Sequence, residues 1–166
     1  MQKPFLFILF LLIIPCNIFG QKLTTTSGGI TANLIYPISL KSGAGNLDFG
    51  EIILTGLPII EKIKPKAGKE FIIQGQKGRS VTVYYKNVSL FNYEWASKFG
   101  GKFGRLKFFP KVVNYNNKMI RNGESIFLKA NGSIGEAKIY VGGKIKIRAN
   151  QPIGVYRGSF VISVAY

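Results

Sequence analysis

Residues 137–166 read AKIYVGGKIKIRANQPIGVYRGSFVISVAY, and the alternation within them decides the fold class. Ala137, Ile139 and Val141 alternate with Lys138 and Tyr140, while Ile145, Ile147 and Ala149 alternate with Lys144, Lys146 and Arg148. Successive side chains of a strand point to opposite faces, so each run predicts a strand with one buried face. Between them, Gly142-Gly143 predicts a two-residue hairpin turn, because glycine enters the positive φ of tight hairpins without steric cost. After Gln151-Pro152 a further run sets Tyr156, Phe160, Ile162, Val164 and Tyr166 on one face. This closing strand is expected to be integral to a sheet.

Working outward, the rest of the chain carries the same signature. Residues 30–40 read as a long strand, with Ile30, Ala32, Leu34 and Tyr36 on one face and Pro37 marking an edge or a change of sheet. Residues 47–54 re-enter a strand after a glycine-containing turn, and residues 58–68 form a connection with room for one short strand. Residues 70–74 and 80–86 predict a hairpin around Gly75-Gln76-Lys77-Gly78. Phe71 and Ile73 face inward on its first arm, and Val81, Val83 and Tyr85 on its second. Residues 106–113 and 125–129 are further strands, while Tyr93-Glu94-Trp95-Ala96 fits either a helical turn or a loop. No segment repeats apolar residues at three-and-four spacing over the length of a helix. Short strands between Gly, Asn and Pro turns predict an all-β chain folded as an antiparallel immunoglobulin-like (pilin-like) β-sandwich. A closed barrel is the other arrangement they allow, and no constant repeat period points to a propeller or solenoid.

The first 20 residues read as a signal peptide. Lys3 precedes the apolar run 5–14, Pro15 follows, and Ile18-Phe19-Gly20 ends on a small residue. Cleavage before Gln21 would leave residues 21–29 as a flexible arm and residues 30–166 as the sandwich domain. A retained anchor would need a span of about 20 apolar residues, and this run is shorter and holds Pro15. Lipidation at Cys16 is a third reading, against which Pro15 is an unfavourable neighbour. Once cleaved, the chain is expected to carry no transmembrane helix. It is expected to be exported to the periplasm, the cell surface or the extracellular space.

The chemistry is thin. There is no histidine, and the one cysteine is Cys16 in the leader. The mature chain therefore lacks the commonest general base, a thiolate nucleophile, the usual zinc ligands and any disulfide. Its carboxylates are Asp48, Glu51, Glu61, Glu70, Glu94, Glu124 and Glu136. Glycoside hydrolysis needs two of these facing each other, and Asp48 and Glu51, three apart on a strand, point to opposite faces. Asp48-Phe49-Gly50 matches a kinase metal-binding triplet but lacks the accompanying phosphate and catalytic loops. Gly43-Ala44-Gly45 lacks the third glycine and the helix of a dinucleotide site. No catalytic, metal-binding or cofactor-binding residue is assigned, and a non-enzymatic role is expected.

Charge is the remaining signal: 23 Lys and Arg against 7 Asp and Glu give +16. Such an excess attracts acidic glycans or anionic lipids, with nucleic acid not an expected partner of an exported chain. The alternative is a solvated surface on which outward lysines discourage edge-to-edge pairing. The candidate anionic-ligand loop is Lys98, Lys102, Phe103, Arg105 and Lys107, where cations interleave with aromatics. Those aromatics also suit a loop that packs into the core.

An ordered set of short motifs adds a family likeness. ANLIYPISL (32–40), LDFG (47–50), VGG (141–143) and GVYRGSF (154–160) occur in one order. Together they resemble an exported bacterial domain family of unknown function, itself similar to spore coat protein U domains and Mat-type fimbrial subunits. The resemblance implies a surface or periplasmic sandwich without established catalytic residues. It also implies assembly by donor-strand complementation, in which a neighbour's extended segment completes an open sheet. The expected partners are like subunits or an assembly chaperone. The expected strand-addition edge is Gly154, Tyr156, Phe160, Ile162, Val164 and Tyr166. An export experiment checks the leader: intact-mass measurement of the secreted product should give an N-terminus at Gln21, and a product retaining residues 1–20 would refute cleavage.

Overall fold

Residues Ile134–Ile147 form one unbroken strand, β10, where a hairpin at Gly142-Gly143 was expected. The computed structural model describes Gly29, residues 31–100 and residues 103–166. The leader, the arm to residue 28 and Lys102 lie outside the described residues. Gly29 and residues 31–33, in a separate unit, are exposed and carry no strand. The body of the fold is Leu34–Tyr166.

Ahead of β10 the elements are β1 (Ser39–Ser42), β2 (Ile59–Ile63), β3 (Lys69–Gly75), β4 (Ser80–Tyr85) and β5 (Val88–Phe91). Helix α1 (Tyr93–Phe99) follows, then β6 (Arg105–Asn114), β7 (Met119–Ile120), β8 (Glu124–Phe127) and β9 (Lys129–Asn131). β11 (Ile162–Ala165) comes after β10. The strands make two antiparallel sheets, a large one with the path β1-β3-β10-β6-β5 and a small one ordered β11-β4-β8. The architecture is a sandwich and not a closed barrel.

The glycine pair does a different job from turning the chain. One edge of β10 pairs with β3 from Gly135 to Val141, then with β2 from Gly143 to Ile147. Between Ile63 and Lys69 the partner chain bulges out through a 3-10 turn, Pro65–Ala67. That bulge presses on Gly142, while β6 presses on Gly143. A Cβ at Gly142 would overlap the Ile63 carbonyl oxygen and sit 2.7 Å from Pro65 N. One at Gly143 (φ +152) would overlap the Phe109 carbonyl oxygen and approach the Phe108 ring. Close backbone approach is the other reason a strand interior keeps glycine.

The alternating residues meet across the core as their period requires. Ile139, Val141, Ile145 and Ile147 of β10 are buried, with Ile73, Val112, Leu106 and Phe108 from the neighbouring strands. The small sheet caps the first half with Val81, Val83 and Ile162. β3 and β4 were expected to pair as a hairpin, but β3 lies in the large sheet and β4 in the small one. Residues 76–79 cross between layers, bonded to Leu128 through Gly78 N–H and the Arg79 carbonyl. Alternation fits both arrangements, since either one turns Ile73 and Val81 inward.

Two predicted strands are not strands. In place of 30–40, only Ser39–Ser42 pairs. Pro37 has no N–H to give a ladder, and Leu34 is 92% exposed. Residues 47–54 turn Leu47, Phe49, Ile52 and Leu54 against the second core cluster, with the alternation slipping by one residue at Gly50 (φ +66), and pair with no strand. Tyr93–Phe99 resolves as a short helix capped by Asn92.

Gly142→Ala tests the spine. With rigid backbone on the far side, the added methyl should cost about 1–3 kcal/mol by overpacking. Gly56→Ala, where the Cβ meets nothing and only the positive φ is strained, should cost about 1–2 kcal/mol. Urea unfolding with unchanged m-values would measure both.

Candidate functional site

β11 stands at one end of the small sheet, with β4 as its single neighbour. Ile162 and Val164 turn toward the core opposite Tyr85 and Val83. The other residues expected on this edge are elsewhere. Tyr166 lies past the strand, where its hydroxyl accepts from Gln76 N–H (2.7 Å) and donates to the Tyr36 carbonyl (2.8 Å). Phe160 precedes it, packed against Phe71, Tyr85 and Phe108 at ring separations of 6.2–6.4 Å. Gly154 and Tyr156 belong to a loop outside the sheet.

Two buried polar side chains that the sequence reading passed over hold that loop. Asn92 is 1% exposed; its Oδ1 accepts from Trp95 N–H (3.0 Å) and its Nδ2 donates to the Ile153 carbonyl (3.1 Å). Gln151 is 5% exposed and donates through Nε2 to the Phe103 carbonyl and the Tyr156 hydroxyl, both at 2.8 Å. Tyr156 in turn donates to the Pro152 carbonyl (2.7 Å). One signal was available: Asn before a Tyr-Glu-Trp helical start is a helix cap.

Between this loop and the segment after β1, the inner face of the large sheet is only partly covered. A cavity of about 380 Å³ opens there, walled by Leu47 and Phe49 on one side and Gly158 and Phe160 on the other. Its floor is Phe71, Val88, Leu90 and Phe108. Both walls are extended chain with free main-chain groups. Among the described residues, no backbone N–H or carbonyl of residues 47–57 or 158–161 bonds another main-chain group. The nearest pairing is an isolated bridge between Phe91 and Arg157.

The described residues of the expected basic loop are spread over a helix, a turn and a strand. Lys98 is in the last turn of α1, Phe103 is exposed, and Arg105 and Lys107 are on the outer face of β6. Strand register brings other cations beside them. Lys107 lies opposite Lys146, and Lys144 lies between Phe109 and Lys62. The ammonium groups of Lys107 and Lys146 sit 5.5 and 5.6 Å from the Phe109 ring centre, and Arg105 stacks at 5.0 Å on Phe91.

Residues 60–166 match a family model described as Domain of unknown function (DUF4402). The chain belongs to that family. The matched range takes in β2 through β11 and both walls' floor residues, whereas the motifs at 32–40 and 47–50 precede it. None of the curated proteins searched matches the chain.

Titratable groups of this DUF4402 chain do not converge on the cavity. Burial, then the nearby Glu124, raises the Tyr85 phenol, which donates to the Ile120 carbonyl (2.6 Å). Burial, then Glu70, raises Tyr140 on the outer face. Among the described residues no three His, Cys, Asp or Glu side chains could share a metal ion, and no helix is long and apolar enough to cross a membrane. Asn92→Ala should cost about 1–3 kcal/mol, because the Ile153 carbonyl and Trp95 N–H lose their partner where water is excluded. Thermal unfolding would read this loss.

Proposed function

We propose that this chain is an exported, non-enzymatic structural subunit that assembles by β-strand addition, as fimbria-like and spore-coat-U-like subunits do. The observation that carries the reading is the cavity between residues 47–49 and 158–160. An antiparallel or parallel strand laid there would find unpaired main-chain groups along both walls and an apolar floor beneath. Main-chain bonding supplies affinity in this mode, and pockets for alternate side chains supply selectivity. The floor can take large apolar side chains. The expected acceptor thus moves from the β11 edge to the cover of the second core cluster, keeping Phe160 and relinquishing Tyr166.

Like subunits are the proposed donors. Leu34 and Tyr36 continue an alternation that reaches the described part of the chain from residue 30; Leu34 is exposed, and Tyr36, tied to the Gln76 and Tyr166 side chains, anchors the end of the donor segment. Surface or periplasmic placement follows from the leader read in residues 1–20.

Sedimentation and negative-stain electron microscopy across a concentration series test the reading. Oligomers and filaments should form, and should be lost on deleting residues 21–36. Leu90→Trp fills the cavity, and Ser159→Pro removes a main-chain donor that bonds nothing within the chain. Each should reduce assembly at least tenfold while far-UV circular dichroism stays unchanged. A chain that remains monomeric at every concentration, or polymers indifferent to both substitutions, would overturn the proposal. Assembly that appears only with an added periplasmic chaperone would reassign the donor.

A further inference from the structure

The outer face of the large sheet divides into two halves with different electrostatics. On the β1-β3 half, Glu70 and Glu136 are interspersed with Lys138, and Glu70 pairs with Lys138 at 3.8 Å. From Gly142 onward, β10 and its neighbours β2 and β6 present cations without carboxylates. Lys62 stands directly opposite Lys144, and Lys107 directly opposite Lys146. Among the described residues, the Lys138–Glu70 pair is the one salt bridge, so none of these four is neutralised.

Like charges directly opposite across a sheet are destabilising. Lys62 is on an edge strand, where a charge discourages edge-to-edge pairing, but Lys107, Lys144 and Lys146 are on strands paired on both sides, where that return is absent. The Phe109 ring eases one of the two pairs by lying close to both Lys107 and Lys146, an arrangement that holds two ammonium groups side by side instead of separating them. Residues that oppose local stability without a structural return mark a surface kept for a ligand.

We propose that this half-face, formed by β2, β6 and residues 143–147, binds a linear acidic polysaccharide. The charge complementarity is with a repeated anion. Cations recur about every 5 Å across the strands and about every 7 Å along them, so a single phosphate would meet only one row. Lysine supplies point charges and not the fixed fork that arginine aims at one phosphate, which suits a polymer read by charge density. Single-stranded nucleic acid would need open aromatic faces for its bases, whereas Phe109 is already engaged by two cations. A bilayer would need protruding apolar anchors, and Ile60 is the one large aliphatic side chain exposed within these rows.

The site is distinct from the strand-addition cavity, which is on the opposite face of the same sheet, and its test does not depend on assembly. Binding of the full exported chain to polygalacturonate is measured at 50 and 200 mM salt, with dextran as the neutral control. Affinity should fall about tenfold or more between the two salts, since neutralised polyanion charges release counterions. Lys107→Glu/Lys146→Glu should weaken binding at least tenfold. Lys77→Glu/Lys129→Glu makes the same change in net charge elsewhere and should leave affinity within threefold. Should the first variant fail to fold, Lys107→Gln/Lys146→Gln takes its place. Equal losses in the two pairs would overturn the site, as would failure to bind polygalacturonate. Tighter binding to phosphatidylglycerol vesicles or to oligo-dT than to polygalacturonate would overturn the ligand class.

Discussion

Satisfying the main chain of β10 on both edges is the constraint around which the large sheet is arranged. A 14-residue strand in the middle of a core needs partners on each side, because buried N–H and carbonyl groups are costly without them. One edge is filled by β9 and then β6, the other by β3 and then β2. The second edge has to accommodate the bulge between Ile63 and Lys69. Gly142 permits this by removing a side chain where that bulge comes closest, and Gly143 does the same against Phe108 and Phe109 on the first edge. The core along this strand falls into two clusters that share Leu47 and Phe160.

The two clusters are closed differently. Over the first, a paired three-stranded sheet supplies both apolar cover and satisfied backbone. Over the second, residues 47–54 supply apolar cover alone, and residues 156–160 add to it a single main-chain bridge, Phe91 to Arg157. Leu47 and Phe49, then Ile52 and Leu54 after a slip at Gly50, are turned inward, so burial has been achieved without the main-chain hydrogen bonds that normally accompany it. A side-chain pattern suited to a sheet, on a backbone with no sheet neighbour, leaves a free edge of the kind that strand addition uses.

Much of the architecture was legible because period-two alternation is local. Residues 70–74, 80–86 and 106–113 each announced a strand and its inward face. Pairing was not legible, since β3 next to β4 in sequence satisfies the same pattern whether the two hydrogen-bond or face each other across the core. Gly142-Gly143 misled for a related reason: glycine serves tight turns and close backbone contacts alike, and only the location of Pro65 distinguishes them. Residues 30–36 alternate well, yet residues 31–36, ahead of Pro37, form no strand, and Tyr36 is held by side chains of Gln76 and Tyr166 instead of a ladder. The proposed polysaccharide face was half legible. Arg105 and Lys107 were found from composition, but Lys62, Lys144 and Lys146 join them only through the registers of β2 and β6 with β10. Charges scattered along 166 residues thus become a patch by non-local pairing.

The two proposed surfaces are the opposite faces of one sheet, and that placement has a consequence for affinity. Strand addition into the cavity would leave the outer face of each subunit uncovered and repeat it along the assembly. A single half-face offers four principal lysines in water, where each exposed ion pair contributes about 0–1 kcal/mol. Binding by one copy would therefore be weak and salt-sensitive. A row of copies on one polysaccharide chain turns later contacts into intramolecular ones, and effective concentrations in the millimolar range raise avidity by about 10²–10⁴ without any new contact. Retaining unneutralised lysines on the outer face is thus coherent with an unfinished inner one: the first gives each subunit a modest grip, and the second multiplies it.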